Sequence, residues 1–329
     1  MERRPTIKDV AKRAGVSPTT VSRVLNNEEL NHMRPETKQR VLRALEELDY
    51  VPVKAARVLR RRLAGVIALL LPDISNPFFA SLARGVATVA FKENASAIIC
   101  DSEHSPEKEA RYLDMLLQEG VDGVIFVPVN QPNREKLQRL CRFGVKIVFA
   151  DRRIKGWPSV EADNLGGAYK LAQYVLSLGY TRIAYIAGPA NVSTSEDRLK
   201  GFVAAMKKAN ISPVKIIRGE FTFEAGYALA HQILHEHSVD VIMCGNDLMA
   251  LGALYAAIEL GLRVPSDLGI AGFDQIIYAN LLHPPLTTAR VPAFEIGQKA
   301  AEALLSNTEI QRERLDVEII PGGTCVPRR

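Results

Sequence analysis

Residues 9–26 have the sequence DVAKRAGVSPTTVSRVLN, in which a helical pattern of apolar residues stops at Gly15 and then resumes. Glycine takes a left-handed backbone conformation without a Cβ penalty, so Gly15 is suited to end a first helix. Ser17 can cap a second helix, and Pro18 fits its first turn, where a backbone N–H is not needed. Two helices joined by a short glycine-containing turn form a helix-turn-helix, whose second helix lies in the DNA major groove.

The predicted second helix carries short polar side chains and one arginine on the face turned away from the first helix. Arg23 can donate two hydrogen bonds to guanine O6 and N7, and the threonines offer a hydroxyl and a methyl group. Thr6 can cap the first helix. The candidate DNA-contacting side chains of this segment are Thr6, Ser17, Pro18, Thr19, Thr20, Ser22 and Arg23.

A third helix is predicted from Pro35, with Val41, Leu42, Leu45 and Leu48 as its apolar stripe. Three helices within about 50 residues can share one small core. We therefore predict a small all-α head over residues 1–50, and the alternative is a three-helix bundle without a DNA role.

The charge of the chain is concentrated in its first part. Residues 1–62 carry 15 Lys and Arg against 8 Asp and Glu, whereas the other 267 residues carry 27 against 29. A basic head on a nearly neutral body indicates a polyanion partner for the head. A basic tail that only aids solubility is the alternative, and the pattern of a folded domain favours DNA.

Two stretches of the head resemble the lactose-repressor (LacI) family of bacterial transcription regulators. They are TIKDVAKRAGVSPTTVSRVLN (residues 6–26) and RPETKQRVLRALEELDYVP (residues 34–52), and AARVL follows at residues 55–59. The loop between them is about two residues longer than is usual in the family. The resemblance implies a repressor that binds a near-palindromic double-stranded operator as a homodimer or a dimer of dimers.

Residues 51–63 form a short basic linker. In the family, two copies of such a hinge pair in the minor groove, where a leucine wedges between base steps. By this resemblance Leu59 is the wedge, although Val53 replaces the polar residue that usually caps the hinge helix. Arg57 belongs to a cluster of arginines that we expect to contact DNA phosphates. A flexible basic tether is the alternative.

Residues 64–329 alternate apolar runs with helical stretches, which is typical of parallel α/β layers covered on both faces. The candidate strands are residues 65–71, 96–100, 123–128, 145–151, 182–188, 214–219, 239–244 and 268–273. We predict two lobes, lobe one from about 64–162 and 292–320 and lobe two from about 163–291 and 321–329, with short strands near 286–290 and 317–320 crossing between them.

Polar and aromatic side chains follow the carboxyl ends of six predicted strands, where open α/β sheets bind ligands. Hydroxyl-holding polar groups combined with aromatic rings favour a sugar. An Asp at such a position is also a common helix cap, and an Asp-Arg pair is often a plain salt bridge.

The body resembles the two-lobed periplasmic sugar-binding fold, and its motifs resemble the ribose-binding type. By this resemblance Asn76, Asp151, Arg152, Arg198, Asn246 and Asp274 hold hydroxyls, and Phe78, Phe79 and Phe221 sandwich the ring. Arg290 stands where that pattern has a glutamine, and three arginines in one cleft also suit a sugar acid or a sugar phosphate. A phosphoprotein corepressor is a further alternative.

Other classes of protein find little support. The motifs of nucleotide-binding loops and of serine hydrolases are absent, so an α/β enzyme that processes a sugar is the less favoured reading. We expect no cofactor and no metal site. Four dispersed cysteines and the lack of a leader or a long apolar segment favour a cytoplasmic protein without a membrane partner.

Overall fold

The structure is a computed structural model that describes residues 5–26, 33–48, 50, 65–306 and 312–328. The linker 51–63, with Arg57 and Leu59, and the longer loop of the head therefore lie outside the described residues, apart from the loop's last residue. A small helical head precedes an α/β body that contains two parallel sheets, as the sequence predicts.

The head consists of α1 (Ile7–Ala14), α2 (Pro18–Asn26) and α3 (Pro35–Glu47). Thr6 and Asp9 form a capping box at the start of α1, in which each side chain hydrogen-bonds the other's backbone N–H. Gly15 ends α1 with φ 65°, and Thr20 N–H donates to Ser17 Oγ at 3.1 Å. The stop and start signals in the sequence therefore act as predicted.

The core of the head is built from small apolar residues of all three helices, namely Val10, Ala11, Ala14, Val21, Val24, Val41 and Ala44. The predicted stripe of α3 is wrong at one position: Leu42 is 43% exposed, and Ala44 packs in the core instead. Leu45 and Leu48 pack at the edge of this core. Because small side chains fill the centre, the three helices can approach closely.

Lobe one is built on a six-stranded sheet with the order β11-β5-β4-β3-β1-β2, and all the paired strands are parallel. Its strands are β1 (Val66–Leu71), β2 (Ser96–Asp101), β3 (Gly123–Phe126), β4 (Lys146–Ala150), β5 (Ser159–Ala162) and β11 (Arg312–Leu315). Its helices are α4 (Pro77–Lys92), α5 (Pro106–Glu119), α6 (Arg134–Arg142) and α12 (Ala293–Leu305).

Lobe two is built on a four-stranded parallel sheet with the order β7-β6-β8-β9. Its strands are β6 (Ile183–Ala187), β7 (Lys215–Arg218), β8 (Val241–Cys244) and β9 (Gly269–Ala271). Its helices are α7 (Asn164–Ser177), α8 (Ser193–Lys208), α9 (Phe223–Glu236), α10 (Asp247–Glu259) and α11 (Ile277–Leu281). β10 (Thr288–Arg290) pairs antiparallel with β12 (Glu318–Ile320), near the predicted crossing points.

The expectation that every strand of the body is covered on both faces is wrong at the sheet edges. Ile98 and Ile99 of β2 are 40% and 45% exposed, and Ile216 of β7 is 39% exposed. Both strands are the last in their sheets, so they have a neighbouring strand on one side only. Their apolar composition alone does not distinguish an edge strand from a central one.

Helices α4 and α12 pack closely against one another, and the first turn of α4 lines the cavity between the lobes. A Cβ atom added to Gly85 would lie 2.0 Å from Phe294 O, and one added to Gly297 would lie 2.1 Å from Leu82 O. Each helix therefore presents a glycine to the backbone of the other. This contact holds α4, and so its N-terminal residues, in place.

Candidate functional site: a cavity between the two lobes and a helix-turn-helix surface

Nine of the ten predicted effector residues line one cavity. Its lining comprises Asn76, Phe78, Phe79, Asp151, Arg152, Arg198, Phe221, Asn246 and Asp274, together with His104 and Thr194, which the sequence reasoning missed. The residues come from the ends of strands and the starts of helices in both lobes. This placement agrees with the rule that ligands bind beyond the carboxyl ends of parallel strands.

Lobe one contributes two aromatic rings from the first turn of α4. Phe78 and Phe79 pack edge to face, with ring centroids 5.2 Å apart. Asn76 caps this helix because its Oδ1 accepts the N–H of Phe78 at 3.0 Å. Both rings are nearly buried, so the faces that they turn to the cavity suit the C–H surface of a small ring.

Asp151 and Arg152 follow β4 on a backbone that turns sharply. Asp151 has φ 61°, a left-handed conformation that is uncommon for a residue with a side chain. The guanidinium of Arg152 donates to Pro128 O at 2.7 Å and to Val129 O at 3.2 Å. Within the described residues, Asp151 Oδ1 and Arg152 Nε are buried without a hydrogen-bond partner. A bound hydroxyl can satisfy such atoms.

Arg198 of α8 is the central cation of lobe two. It donates from Nε to Asn164 Oδ1 at 2.8 Å and from Nη1 to Gly245 O at 2.7 Å. Its Nη2 atom forms an ion pair with Asp274 Oδ1 at 2.8 Å. The guanidinium also lies 4.0 Å from the ring centroid of Phe273, which leaves it few conformations.

Asp274 is held in the cavity by the buried Asp247 behind it. Asp247 accepts the N–H of Ile276 at 2.8 Å and the hydroxyl of Thr288 at 2.6 Å. Its own N–H donates to Phe273 O at 2.8 Å, so both sides of Asp274 are fixed. Asp274 adopts φ 113°, and these bonds hold it in that unusual conformation.

Burial dominates the electrostatics of the carboxyl groups. It raises the pKa of Asp274 to about 7, against the opposing effect of Arg198, and Asp151 across the cavity adds to the rise. Burial likewise raises the pKa of Asp151, although Arg152 and Arg198 oppose this. Two arginines and two aspartates thus share the cavity.

Asn246 and Phe221 complete the wall of lobe two. Asn246 caps α10 by accepting the N–H of Met249 at 2.9 Å, and its Nδ2 donates to Phe221 O at 3.3 Å. Phe221 packs against Gly188, where a Cβ atom would lie 2.2 Å from the ring. The glycine therefore allows this ring to reach the cavity wall.

The placement of Arg290 in the cleft is wrong. Arg290 is exposed on β10 and forms an ion pair with Glu318, its cross-strand partner on β12. The neighbouring strand supplies a carboxylate, and so the guanidinium turns to that partner. The cavity therefore lacks the third arginine on which a preference for an anionic ligand depended.

His104 and Thr194 could have been found by applying the strand-end rule consistently. His104 lies in the loop after β2, and Thr194 lies in the first turn of α8 after β6. Neither residue is among the predicted ligand contacts, although each follows the end of a strand.

The candidate DNA surface is the exposed part of α2. Ser17, Pro18, Thr19 and Arg23 are exposed, and Thr20 and Ser22 are half-buried. The Thr6 hydroxyl donates to Asp9 Oδ2 at 2.6 Å, so its role in the free protein is to cap α1. The surface consists of short side chains and one long cation, which suits close approach to base edges.

A helix-turn-helix followed by a two-lobed α/β body with a cleft defines a DNA-binding regulator that carries a ligand-sensing domain. Residues 6–53 match the family described as bacterial regulatory proteins, lacI family. Residues 64–326 match the periplasmic binding proteins and sugar binding domain of LacI family. The chain belongs to the LacI family of bacterial transcription regulators.

Three similar proteins cover between 80% and 98% of this chain. The chain is 37% identical over 313 residues to the ribose operon repressor of Halalkalibacterium halodurans, covering 94% of this chain and 92% of the relative. The solved structure of a LacI family transcriptional regulator from Enterococcus faecium with bound ribose has a TM-score of 0.74 at 28% identity, covering 80% of this chain and 100% of that one. The lac repressor dimer bound to operator and the anti-inducer ONPF has a TM-score of 0.73 at 26% identity, with 98% and 100% covered.

None of the helices in the described residues is both long enough and apolar enough to cross a membrane.

Proposed function

We propose that this protein is a sequence-specific repressor whose affinity for its operator is controlled by a small neutral sugar, with a pentose such as ribose as the first candidate. The observation that carries this proposal is the cavity in which Phe78, Phe79 and Phe221 lie with paired carboxylates and guanidinium groups. Rings accept the C–H face of a sugar, and the charged groups accept from and donate to its hydroxyls.

The balance of charge in the cavity favours a neutral ligand over an anionic one. Arg152 and Arg198 are matched by Asp151 and Asp274, and Arg198 is already paired with Asp274. A carboxylate or phosphate on the ligand would meet two buried carboxylates, which disfavours it. Sugar acids and sugar phosphates are favoured as ligands only if Arg290 is a third arginine in the cleft. Arg290 lies outside the cavity.

The names of two similar proteins point to the same ligand class. One relative is a ribose operon repressor, and one solved family member contains bound ribose. The relatives are named as regulators, and we propose no catalytic role for this chain.

We propose that the protein acts as a homodimer on a near-palindromic operator. Two elements of lobe two carry exposed apolar side chains, with Tyr255 and Ile258 on α10 and Ile277, Tyr278 and Leu281 on α11. Large exposed apolar patches mark interaction surfaces. The similar lac repressor structure is a dimer on its operator, and sedimentation of the purified protein tests the dimer against a tetramer.

The sugar would act by changing how the two lobes sit relative to one another, and thereby the spacing of the paired heads. Coupling of this kind is reciprocal: a sugar that weakens operator binding is itself bound more weakly by the operator complex. Because its target is chromosomal DNA, we place the protein in the cytoplasm.

The test begins with calorimetry of the full-length protein against neutral pentoses and hexoses, sugar acids and sugar phosphates. Binding of a neutral sugar supports the proposal, and selective binding of anionic sugars contradicts it. Phe79→Ala should lose affinity for the bound sugar but keep operator affinity in its absence. Exposed Phe91, on the same helix, provides the matched control as Phe91→Ala.

A further inference from the structure

His104 is a polar residue of the cavity that the resemblance to sugar-binding proteins does not assign. It lies between β2 and α5, where Glu103 and His104 both have left-handed backbone conformations, with φ 48° and 56°. The N–H of His104 donates to Pro72 O at 2.7 Å, and the N–H of Ser102 donates to Leu71 O at 2.9 Å. These bonds tie the loop backbone to the end of β1, so the fold places the backbone of His104 at the cavity.

The imidazole contributes a nitrogen that has no hydrogen-bond partner among the described residues. Nε2 is buried, and no described residue forms a hydrogen bond with it. Its nearest carboxylate oxygen, Asp73 Oδ2, is 3.7 Å away, which is beyond hydrogen-bond distance. The other oxygen of Asp73 accepts the N–H of Ser75 at 2.8 Å and its hydroxyl at 2.6 Å. Asp73 Oδ1 is therefore occupied within its own turn, and Oδ2 approaches the imidazole without forming a hydrogen bond.

A neutral imidazole suits a hydroxyl because the same nitrogen can donate or accept, depending on the tautomer. The neighbouring polar groups of lobe one are less adaptable, since Asp151 can only accept when ionised and Arg152 can only donate. A buried nitrogen without a partner gains from a bound hydroxyl placed opposite it.

We propose that His104 hydrogen-bonds one hydroxyl of the bound sugar and thereby helps to select among pentose isomers. This inference rests on the proposed function, because it assigns a further contact and a source of specificity to the same cavity. His104 belongs to lobe one, whereas the charged groups that bind the ligand come from both lobes. The contact therefore adds to the contribution of lobe one to ligand binding.

The test is calorimetry of the full-length protein with D-ribose, 2-deoxy-D-ribose, D-arabinose and D-xylose. His104→Ala should weaken D-ribose binding about five- to tenfold, the range expected for one hydrogen bond. The loss should shrink to less than twofold for the pentose in which the contacted hydroxyl is missing or inverted. His104→Gln should recover part of the affinity, because its amide can also donate and accept.

Glu103→Ala is the matched control, since Glu103 occupies the same loop with the same left-handed backbone. Its side chain is 67% exposed and pairs with Lys108 at 2.7 Å, outside the cavity lining. This variant should bind D-ribose as the wild type does. Operator affinity without sugar should be unchanged in both variants.

The outcomes separate this inference from the proposed function. A wild-type protein that binds none of the neutral sugars contradicts both. A wild-type protein that binds D-ribose while His104→Ala binds it equally well overturns the inference alone. Equal losses in His104→Ala and Glu103→Ala, or an equal loss for all four pentoses, assign the effect to the loop and also overturn it.

Discussion

Arg153 of lobe one forms a bidentate ion pair with Asp197 of lobe two. One guanidinium nitrogen donates to Asp197 Oδ1 at 3.0 Å, and the other donates to Oδ2. The N–H of Arg153 also donates to Ser193 Oγ at 3.0 Å, and its guanidinium contacts Glu161 of β5 at 3.3 Å. Residues next to the cavity, outside its lining, therefore connect the two lobes.

Loss of this pair should weaken sugar binding without removing a sugar contact. In Asp197→Asn the lobes lose a link that favours the arrangement described here, so we expect D-ribose affinity to fall about two- to tenfold, the range for a partly buried ion pair. Calorimetry measures the change. Arg153→Gln should give the same loss, and the double variant should lose little more.

A second bidentate ion pair, between Arg263 and Asp267, lies within lobe two and provides the control for that experiment. Its two contacts measure 2.9 Å each. Asp267→Asn should leave sugar affinity unchanged. Equal effects of the two aspartate substitutions would show that the Arg153 pair has no special role between the lobes.

Sugar affinity should fall as the pH decreases through 7. The folded-state pKa of Asp274 is raised to about 7, so its carboxylate becomes protonated just below neutrality. A sugar hydroxyl that donates to Asp274 needs the ionised form, and affinity at pH 6 should then be about tenfold lower than at pH 8. Calorimetry between pH 6 and 8 measures this dependence.

Two variants assign the pH dependence to its group. Asp274→Asn should bind weakly at every pH and lose the step. Burial also raises the pKa of Glu109 to about 7, but Glu109 accepts the N–H of Val129 and lies outside the cavity lining. Glu109→Gln should therefore keep the step, and its disappearance there would transfer the effect to Glu109.

Arg23→Ala should reduce operator affinity much more than affinity for random DNA. A two-hydrogen-bond contact with guanine contributes about 1–3 kcal/mol of discrimination, equivalent to roughly a 5- to 150-fold loss on the operator. Fluorescence anisotropy on an operator selected from random sequences measures both affinities. Arg13→Ala is the control, because Arg13 pairs with Glu47 of α3 at 2.6 Å. An equal loss of affinity for operator and random DNA would mean that Arg23 contacts phosphate and does not read a base.

Gly85→Ala should destabilise the body, although helix propensity alone predicts the opposite. Alanine is favoured over glycine within a helix by about 1 kcal/mol. A methyl group at this position would lie 2.0 Å from Phe294 O, so α4 and α12 must separate, at a cost of about 1–3 kcal/mol or more. Thermal unfolding measures the net change.

Exposed Ala87 on the same helix gives the reference for that measurement. Ala87→Ser should change stability by less than about 0.5 kcal/mol, as surface substitutions commonly do. A Gly85→Ala protein as stable as the wild type, or more stable, would mean that the two helices are not held in close contact.

Much of the site was predictable because strand ends can be recognised locally. The apolar runs of β1, β4, β6, β8 and β9 are evident in the sequence, and the polar residues after them lie together at the carboxyl ends of the sheets. His104 was not predicted, because the residues that follow β2 are not among the predicted ligand contacts. Arg290 was misplaced because its partner Glu318 is 28 residues away and pairs with it only through β12.

Two strands were missed for a related reason. β5 has the sequence SVEA and β11 has the sequence RERL, and neither has the long apolar run of a buried strand. They pair with one another in parallel, and Glu161 forms an ion pair with Arg312, 151 residues further along the chain. Only a partner strand makes such segments extended.

The sequence by itself determined the helix-turn-helix, because Thr6, Asp9, Gly15 and Ser17 fix helix ends through contacts within a few residues. It also determined the alternation of strands and helices and most of the cavity. Only the tertiary structure decided which arginines enter the cavity, which strands form the edges and how Arg153 meets Asp197. Those features depend on partners distant in the chain, and folding alone brings such residues together.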